Sequence, residues 1–331
     1  MSEPGQQRAD LVLEGGGVKG VALTGAVAAL ATEGYAFPRV AGSSAGAVVG
    51  AVVAALQKAG EPLSRLVDVA ATLDYARVPD SSLPSPLALL SEAVSFVVSE
   101  GLHPGNYLRD WLRSTLRDLG VATFGDLRIG GGRGLPDDPD TALPEGRRYA
   151  LVVTASDLSA RRLLRLPWDY PQLGLDPDEQ PVADAVRASA SIPFFFRPQH
   201  IAGHTLVDGG LLSNFPVALF DRADGHPPRW PTFGVKLSAR PGERPIVTGS
   251  TGNPVTFGLA VIETLLAAQD ASYVDQPCVQ QRTVFVDTGD TSAVDFGIGA
   301  DRRRALWERG DAAARAFLRG WDEAAYLANC R

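Results

Sequence analysis

The stretch RVAGSSAGAVVGAVVAALQKAG, residues 39–60, has the pattern of a short strand, a tight turn and a helix. At its centre, Gly42 and Gly46 flank Ser44 in a Gly-x-Ser-x-Gly turn. Such a turn thrusts its serine out of the sheet, and the glycines remove side chains that would clash there. The N-terminal end of the following helix is electropositive, which favours the negative charge that develops in acyl transfer. We therefore predict that Ser44 is a nucleophile.

Two other interpretations of this turn stay open when the motif is taken alone. Ser43 is a competing nucleophile, although it occupies the variable position of the motif and would point in a different direction. An ordinary strand-to-helix turn rich in Gly and Ser can also contain the same five residues. The decision must therefore come from other parts of the chain.

Strand and helix patterns alternate along most of the 331 residues. Short apolar runs between turn residues predict strands, and longer apolar runs with helical spacing predict helices. This alternation predicts an α/β fold, a three-layer α/β/α arrangement with a mainly parallel central sheet. The predicted strands are residues 10–14, 39–40, 149–154, 163–166, 205–207, 233–237 and 283–286, and the predicted helices are residues 18–33, 45–58, 106–119, 182–190, 255–274 and 301–327.

Two segments rich in Gly and Pro, residues 127–148 and 239–254, interrupt the alternation. Strand and helix patterns resume after each, which indicates surface excursions rather than domain linkers. We expect a single domain over residues 1–331, with a motif core at about residues 10–220 and a C-terminal helical extension. The roles of the two excursions stay open.

The overall composition narrows the class of protein. Proteins that bind nucleic acids usually carry a basic surface, and the net charge of -7 argues against such a partner. A local basic or apolar patch could still contact a membrane. The two cysteines, Cys278 and Cys330, form neither a disulfide framework nor a metal-ligand spacing, which fits a reducing compartment. The start of the chain lacks a signal-peptide pattern, and no apolar run reaches about 18 residues. We expect a cytoplasmic protein.

A second glycine turn, EGGGVKG at residues 14–20, follows the first predicted strand and opens a helix. Gly15, Gly16 and Gly17 leave backbone N–H groups unshielded, and such groups can hold an anionic oxygen. Turns that follow neighbouring strands of a parallel sheet lie side by side at its carboxyl edge. The loop is therefore placed to serve as an oxyanion hole for Ser44.

The same loop also matches a dinucleotide-binding fingerprint, Gly15-x-Gly17-x-x-Gly20. That fingerprint requires an acidic residue at the end of the second strand, where it binds the ribose. Glu33 has a plausible separation, but it falls at the end of the predicted helix, and the second strand ends in the serine turn. A nucleotide-binding protein is thus a second hypothesis, and a scaffold without catalytic activity is a third.

A third turn supplies a carboxylate. In HTLVDGG, residues 204–210, a predicted strand carries Asp208 into Gly209 and Gly210. A carboxylate held against a serine hydroxyl orients that hydroxyl and accepts its proton. The competing interpretation is a routine Asp-Gly turn.

A histidine usually links such a serine and aspartate. In the chain order of α/β-hydrolases the histidine follows the acid, which leaves His226 in a polar loop. The serine turn also comes after a single strand and helix, earlier than in that fold. A Ser44–Asp208 dyad therefore fits better than a Ser-His-Asp triad. The histidines of the chain are His103, His200, His204 and His226.

These three turns, in this order, resemble motifs of the patatin-like phospholipase family. Residues 14–20 are similar to its Gly-Gly-Gly-x-Lys/Arg-Gly loop, with Lys19 and Gly20 in the last two positions. Residues 42–46 resemble its nucleophile elbow, and residues 208–210 resemble its Asp-Gly-Gly/Ala motif.

Two further stretches are similar to the same family. ASASIP at residues 188–193 resembles its Ala-Ser-x-Ala/Ser-x-Pro segment, and LLSNFPV at residues 211–217 resembles the run after the catalytic aspartate. The resemblance implies a patatin-like fold, a Ser44–Asp208 dyad without histidine, no metal and no cofactor. It also implies esters of phospholipids, lysophospholipids or acylglycerols as substrates, and leaves the oligomeric state open. The implied oxyanion hole is Gly15, Gly16 and Gly17, and the supporting motif residues are Lys19, Gly20, Gly42, Gly46, Gly209 and Gly210.

Access of a lipid to this site requires an apolar acyl pocket and a surface that tolerates a membrane. Residues 83–102 place Leu87, Leu90, Val94 and Val97 at helical spacing. We expect a helix that packs inward, and a lid or acyl-pocket helix is the alternative.

Overall fold

The fold is taken from a computed structural model. It describes residues 7–80, 103–130, 143–222, 230–241, 243, 254–269, 274 and 276–330. The helix predicted at residues 83–102, His226, and most of the two segments rich in Gly and Pro lie outside this described part.

Eight strands of the described chain form one sheet, in the order β10-β9-β2-β4-β5-β8-β7, and β6 pairs with β5 outside that path. The five strands from β10 to β5 in this order run parallel, and a separate parallel pair joins β1 to β3. The strands are β1 (Gln7–Arg8), β2 (Asp10–Leu13), β3 (Tyr35–Ala36), β4 (Val40–Gly42), β5 (Leu151–Asp157), β6 (Arg162–Leu166), β7 (Gln199–Ile201), β8 (His204–Asp208), β9 (Thr232–Lys236) and β10 (Thr283–Phe285).

Helices cover the sheet, so the predicted α/β fold with a mainly parallel central sheet is confirmed. The helices predicted at residues 18–33, 45–58, 106–119 and 182–190 are present with small changes at their ends. The helices are α1 (Val21–Thr32), α2 (Ala45–Ala59), α3 (Arg65–Ala71), α4 (Asn106–Asp118), α5 (Val182–Ser189), α6 (Gly210–Ser213), α7 (Pro254–Gln269), α8 (Pro277–Gln281), α9 (Ala300–Gly320) and α10 (Glu323–Asn329).

The central strands are apolar on both faces. Leu11 and Leu13 of β2 belong to the larger core with α1 and α2, whereas Val12 between them packs into a second core that contains Phe215 and Val217. Strands buried on both sides have continuous rather than alternating apolar sequences, which is why DLVL indicated a buried parallel strand. The C-terminal helix α9 packs along α1 on the outside of the larger core.

The sheet registers explain how Asp208 reaches the end of β4. Val153 of β5 pairs with Gly42 on one edge and with Leu166 on the other, so β4 and β6 lie on opposite edges of β5. Ala155 pairs with both Leu164 of β6 and Asp208 of β8. β8 therefore lies on the same edge of β5 as β4 does. Because β4 runs parallel to β5 and β8 runs antiparallel to it, the carboxyl ends of β4 and β8 meet.

Two features at the C-terminal end differ from the sequence analysis. The helix predicted at residues 301–327 is divided, because Trp321 has extended backbone and the Asp322 side chain caps α10. Cys278 and Cys330, for which the sequence analysis predicted no pairing, form a disulfide that joins α8 to the end of α10. Among the described helices, none has the length and apolar content needed to cross a membrane.

Candidate active site

Ser44 occupies a strained turn between β4 and α2. Its φ of 50° and ψ of -120° are unusual for a residue with a side chain, and such strain clusters at functional sites. The flanking glycines are required by close packing: a Cβ at Gly42 would lie 2.3 Å from the Gly46 carbonyl carbon, and one at Gly46 would lie 2.2 Å from the Leu13 carbonyl oxygen. The turn therefore has the geometry that the Gly-x-Ser-x-Gly pattern predicted.

The neighbouring Ser43 has a different environment. Its hydroxyl is fully buried and lies 2.5 Å from the Thr154 hydroxyl, and it donates to the Ser213 carbonyl at 2.7 Å. Ser43 thus joins the serine turn to β5 and α6 and lines neither of the cavities that open at Ser44. This difference favours Ser44 over Ser43 as the reactive serine.

Asp208 ends β8 beside Ser44. Its Oδ1 accepts a hydrogen bond from Gly210 N at 2.7 Å, whereas its Oδ2 is buried and has no partner at hydrogen-bonding geometry among the described residues. Burial raises the pKa of Asp208 to about 6, and the Ser44 hydroxyl, Gly210 N–H and the Arg187 cation act in the opposite direction. The Ser44 hydroxyl is therefore near enough to stabilise the carboxylate, although a formed hydrogen bond is not seen. Hydrogen bonds between catalytic groups are often loose in the absence of substrate.

The turn after α5 contacts both residues. Ser189 Oγ accepts from Ser44 N at 2.9 Å, and the Ser189 carbonyl accepts from Gly209 N at 3.2 Å. Two residues later, the Ser191 carbonyl accepts from Asp208 N at 2.9 Å. These bonds fix the serine turn and the aspartate turn relative to each other, a role that the ASASIP motif alone did not reveal.

The glycine loop lies against the same site, but its three amides are not equivalent. Gly15 N donates to the Asn214 carbonyl at 3.1 Å and is therefore engaged within the protein. Within the described chain, Gly16 N and Gly17 N donate to no backbone acceptor outside the helices and strands. The oxyanion hole at Gly15, Gly16 and Gly17 stays a prediction, in which the Gly16 and Gly17 amides are the two left available.

A buried ion pair supports this loop from below. Glu14, the residue before the glycines, forms an ion pair with Lys236 of β9, and both side chains are buried. The Asn214 side-chain amide donates to Glu14 Oε1 at 3.1 Å and to the Gly15 carbonyl at 3.3 Å. These contacts hold together the end of β2, strand β9 and the residues after Asp208, beneath the loop.

The remaining motif residues have supporting positions. Lys19 and Gly20 lie in a short 3-10 helix that leads from the loop into α1. Lys19 N donates to the Gly16 carbonyl at 3.1 Å, and in the described chain its side chain has no ionic or hydrogen-bonding partner. Gly209 lies against β5, where an added Cβ would be 2.3 Å from Thr154 Oγ1.

The described histidines do not contact Asp208. His204 Nδ1 lies 2.8 Å from Asp157 Oδ2, and His200 Nδ1 lies 3.4 Å from the Thr205 hydroxyl. His103 is buried against Phe195. The triad histidine considered in the sequence analysis, His226, is outside the described residues.

Two cavities open at Ser44. One also contains Asp208 and the three loop glycines. The other is lined mainly by apolar side chains. The side chains that line the apolar cavity include Val48, Val49, Leu73, Tyr75, Val78, Leu108, Ile192, Phe196 and Phe296.

The nucleotide-binding arrangement lacks its acidic residue. Glu33 lies beyond the far end of α1 and accepts from Arg315 Nη1 at 2.8 Å, away from the glycine loop. Gly15 instead faces Ser44, because a Cβ built on it would be 3.1 Å from Ser44 Cβ. Among the described residues, no three His, Cys, Asp or Glu side chains form a group that could hold a metal ion.

Comparison with known proteins agrees with this arrangement. The family model for patatin-like phospholipase matches residues 11–221. YqhO, an uncharacterized protein of Bacillus subtilis (strain 168), is 35% identical over 317 residues, a match that covers 94% of this chain and 98% of YqhO.

The chain belongs to the patatin-like phospholipase family. Members of this family are hydrolases of the esterase and lipase class, and the chain is a lipid hydrolase of that class. Rv1063c of Mycobacterium tuberculosis (strain ATCC 25618 / H37Rv), named as an uncharacterized NTE family protein, is 29% identical over 64% of this chain and 45% of its own length.

Solved structures show the same patatin-like fold. VipD from Legionella pneumophila superposes with a TM-score of 0.50 at 18% identity, over 96% of this chain and 67% of VipD. ExoU of the type III secretion system of Pseudomonas aeruginosa, solved with SpcU, gives 0.50 at 20% identity, over 99% of this chain and 53% of that chain. The chain thus spans about half the length of ExoU.

Proposed function

We propose that this patatin-like hydrolase cleaves carboxylic esters of phospholipids, lysophospholipids or acylglycerols through a Ser44–Asp208 dyad and an acyl-enzyme. One observation carries the proposal: Ser44 lies where the apolar cavity meets the cavity that contains Asp208. In this proposal a fatty-acyl chain occupies the apolar side, and its ester carbonyl lies at the serine hydroxyl. The polar side leaves room for the leaving alcohol and for water.

The mechanism follows from the positions of the groups. Asp208 accepts the Ser44 proton as the hydroxyl oxygen attacks the ester carbonyl carbon. Gly16 and Gly17 donate to the tetrahedral oxyanion, and such donors are worth about 3 to 4 kcal/mol each in related acyl transfers. The C–O bond to the leaving alcohol then breaks, and the alcohol takes the proton from Asp208. In the second step Asp208 accepts a proton from water as the water oxygen attacks the acyl carbonyl carbon. The bond to Ser44 Oγ then breaks, Ser44 Oγ takes the proton from Asp208, and the fatty acid leaves.

We also propose transient contact with a lipid surface. Phe257, Val261 and Leu265 of α7 are exposed and recur every four residues, so they share one helix face. Ile262, the neighbour of Val261, lines the cavity that contains the dyad. An exposed apolar helix face beside the cavity supports delivery of a lipid from a membrane.

Hydrolysis of defined esters tests this function. Purified wild-type protein is expected to release fatty acid from at least one class among phospholipids, lysophospholipids and acylglycerols, and to hydrolyse p-nitrophenyl esters. Ser44→Ala should abolish both activities, and Ser43→Ala should retain activity if it remains folded. His226→Ala should also leave activity nearly intact. Folded wild-type protein that is inactive on all these esters would refute the proposal, and activity lost with His226 would favour a triad.

A further inference from the structure

A buried arginine lies behind the proposed dyad and takes no part in the mechanism above. Arg187 is near the end of α5, and only 2% of its surface is exposed. Its guanidinium also lies over the Phe196 ring, 5.1 Å from the centroid. It donates to the Ser191 hydroxyl at 2.7 Å and to the carbonyls of Pro104 at 2.6 Å, Gly105 at 3.0 Å and Arg197 at 3.3 Å.

These acceptors are all neutral, so the buried charge has no contact ion pair within the described chain. An uncompensated buried cation is costly, and such groups are normally paired. The net pKa of Arg187 is lowered to about 10. Burial is the main cause and Arg109 adds to it, whereas Asp80 and Asp208 act in the opposite direction. In turn, the Arg187 cation lowers the pKa of Asp208. The two buried groups therefore stabilise each other's charged forms without touching.

Arg187 also controls the turn that positions the dyad. The Ser191 hydroxyl, held by Arg187 Nη1, donates back to the Arg187 carbonyl at 2.9 Å. In this short turn the Ser189 hydroxyl accepts from Ser44 N, and the Ser191 carbonyl accepts from Asp208 N. One side chain thus fixes the segment to which both reactive residues are bonded.

We propose that Arg187 is the positioning residue of this site, whose buried positive charge keeps Asp208 ionised and whose hydrogen bonds hold the Ser189–Ser191 turn against Ser44 and Asp208. It touches neither the substrate nor the reacting atoms. The inference rests on the proposed Ser44–Asp208 function. It gives Arg187 two roles: its charge acts on Asp208, and its hydrogen bonds fix the Ser189–Ser191 turn, which we call the clamp.

The charge and the clamp are separated by two substitutions. Arg187→Met removes both, and Arg187→Lys keeps the charge but cannot reproduce the forked contacts to Ser191, Gly105 and Pro104. The measurement is kcat and KM for a soluble p-nitrophenyl ester between pH 4.5 and 9. In Arg187→Met the midpoint of the acid limb should rise by roughly one pH unit, because a favourable cation is lost. In Arg187→Lys the midpoint should stay near that of wild type while kcat falls about tenfold through looser positioning.

A matched control is available elsewhere in the fold. Arg282 is also buried, and it pairs with Asp221 rather than with a group of the site. Arg282→Met should lower the melting temperature without moving the acid limb. The proposal is overturned if the acid-limb midpoint is the same in Arg187→Met as in Arg282→Met. It is also overturned if Arg187→Lys shifts that midpoint as far as Arg187→Met does.

A second readout does not depend on catalysis. The ¹³C chemical shift of the Asp208 carboxyl carbon, assigned with Asp208→Asn, reports its ionisation in folded protein. Its midpoint should be higher in Arg187→Met than in wild type and unchanged in Arg187→Lys. If Arg187→Met does not fold, the Lys variant carries the test, because a raised midpoint there contradicts the charge role. If wild type is inactive, the proposed function fails, and the titration still decides whether Arg187 acts on Asp208.

Discussion

Two buried cations accompany the site, and they differ in how their charge is compensated. Lys236 contacts Glu14 directly beneath the glycine loop. Within the part of the chain that the structure describes, Arg187 contacts only neutral acceptors, and its charge acts on Asp208 through space. Both are largely sealed from solvent, so burial alone does not explain the difference.

The difference separates a structural charge pair from a functional one. Glu14 contacts Lys236 directly and accepts from the Asn214 side-chain amide, so it serves as a brace for the glycine loop. Asp208 keeps one carboxylate oxygen without a hydrogen-bond partner, and its pKa is raised to about 6. That is the state required of a general base near neutral pH.

The largest effect is expected when the functional carboxylate is neutralised. Asp208→Asn should lower kcat on soluble esters by about 10³-fold, because the amide cannot accept the Ser44 proton. Its melting temperature at pH 8 should be at least that of wild type. The pKa of Asp208 is raised in the folded state, so its ionisation opposes folding increasingly as the pH rises towards 6, and the substitution removes this cost. Retained activity would contradict the base assignment.

Breaking the structural pair should have the opposite signature. Lys236→Met leaves the Glu14 carboxylate buried and unpaired, and we expect a loss of about 3 to 5 kcal/mol in the free energy of unfolding. Chemical denaturation measures this loss. The double variant Glu14→Gln/Lys236→Met should recover much of it, because no buried charge remains. If the double variant raised the midpoint of the acid limb as Arg187→Met is expected to do, Lys236 and Arg187 would not differ in role.

The pH dependence of wild-type activity sharpens the comparison. Below pH 6, kcat/KM should fall about tenfold per pH unit, because protonated Asp208 cannot act as a base. Above that midpoint the rate should level off. A rate that is constant from pH 4.5 to 8 would mean that no group of the Asp208 type controls the reaction.

The smallest effect on chemistry is expected at the surface. Replacing Phe257, Val261 and Leu265 by Ser removes the exposed apolar face of α7 and should weaken binding to lipid vesicles by roughly tenfold. The rate on a soluble ester should not change, because both buried cations are untouched. Leu158→Ser is the matched control, since Leu158 is similarly exposed outside α7. Equal vesicle binding by both variants would contradict a role of α7 in contact with lipid.

The sequence was sufficient for those parts of the site that depend on local geometry. The serine turn follows from Gly42 and Gly46, and the α/β fold follows from apolar strands such as DLVL that are buried on both faces. The order of the motifs also led to the family to which the chain belongs.

Other parts depend on contacts between distant segments. The sequence analysis treated the three Gly15–Gly17 amides alike, but Gly15 N is bonded to Asn214, 199 residues away. The sequence also predicted Asp208 at the end of a strand, but not that β8 runs antiparallel to β5 and meets the end of β4. Neither Arg187 nor Lys236 has a local pattern that distinguishes it from an exposed basic residue.

Covalent labelling tests the central claim most directly. Wild-type protein is treated with a fluorophosphonate between pH 4.5 and 8, and the adduct is located by peptide mass spectrometry. We predict a single adduct on Ser44, with a labelling rate that rises through a midpoint near pH 6 and collapses in Asp208→Asn. An adduct on Ser43, labelling that persists in Ser44→Ala, or the absence of any adduct in folded protein would contradict the dyad.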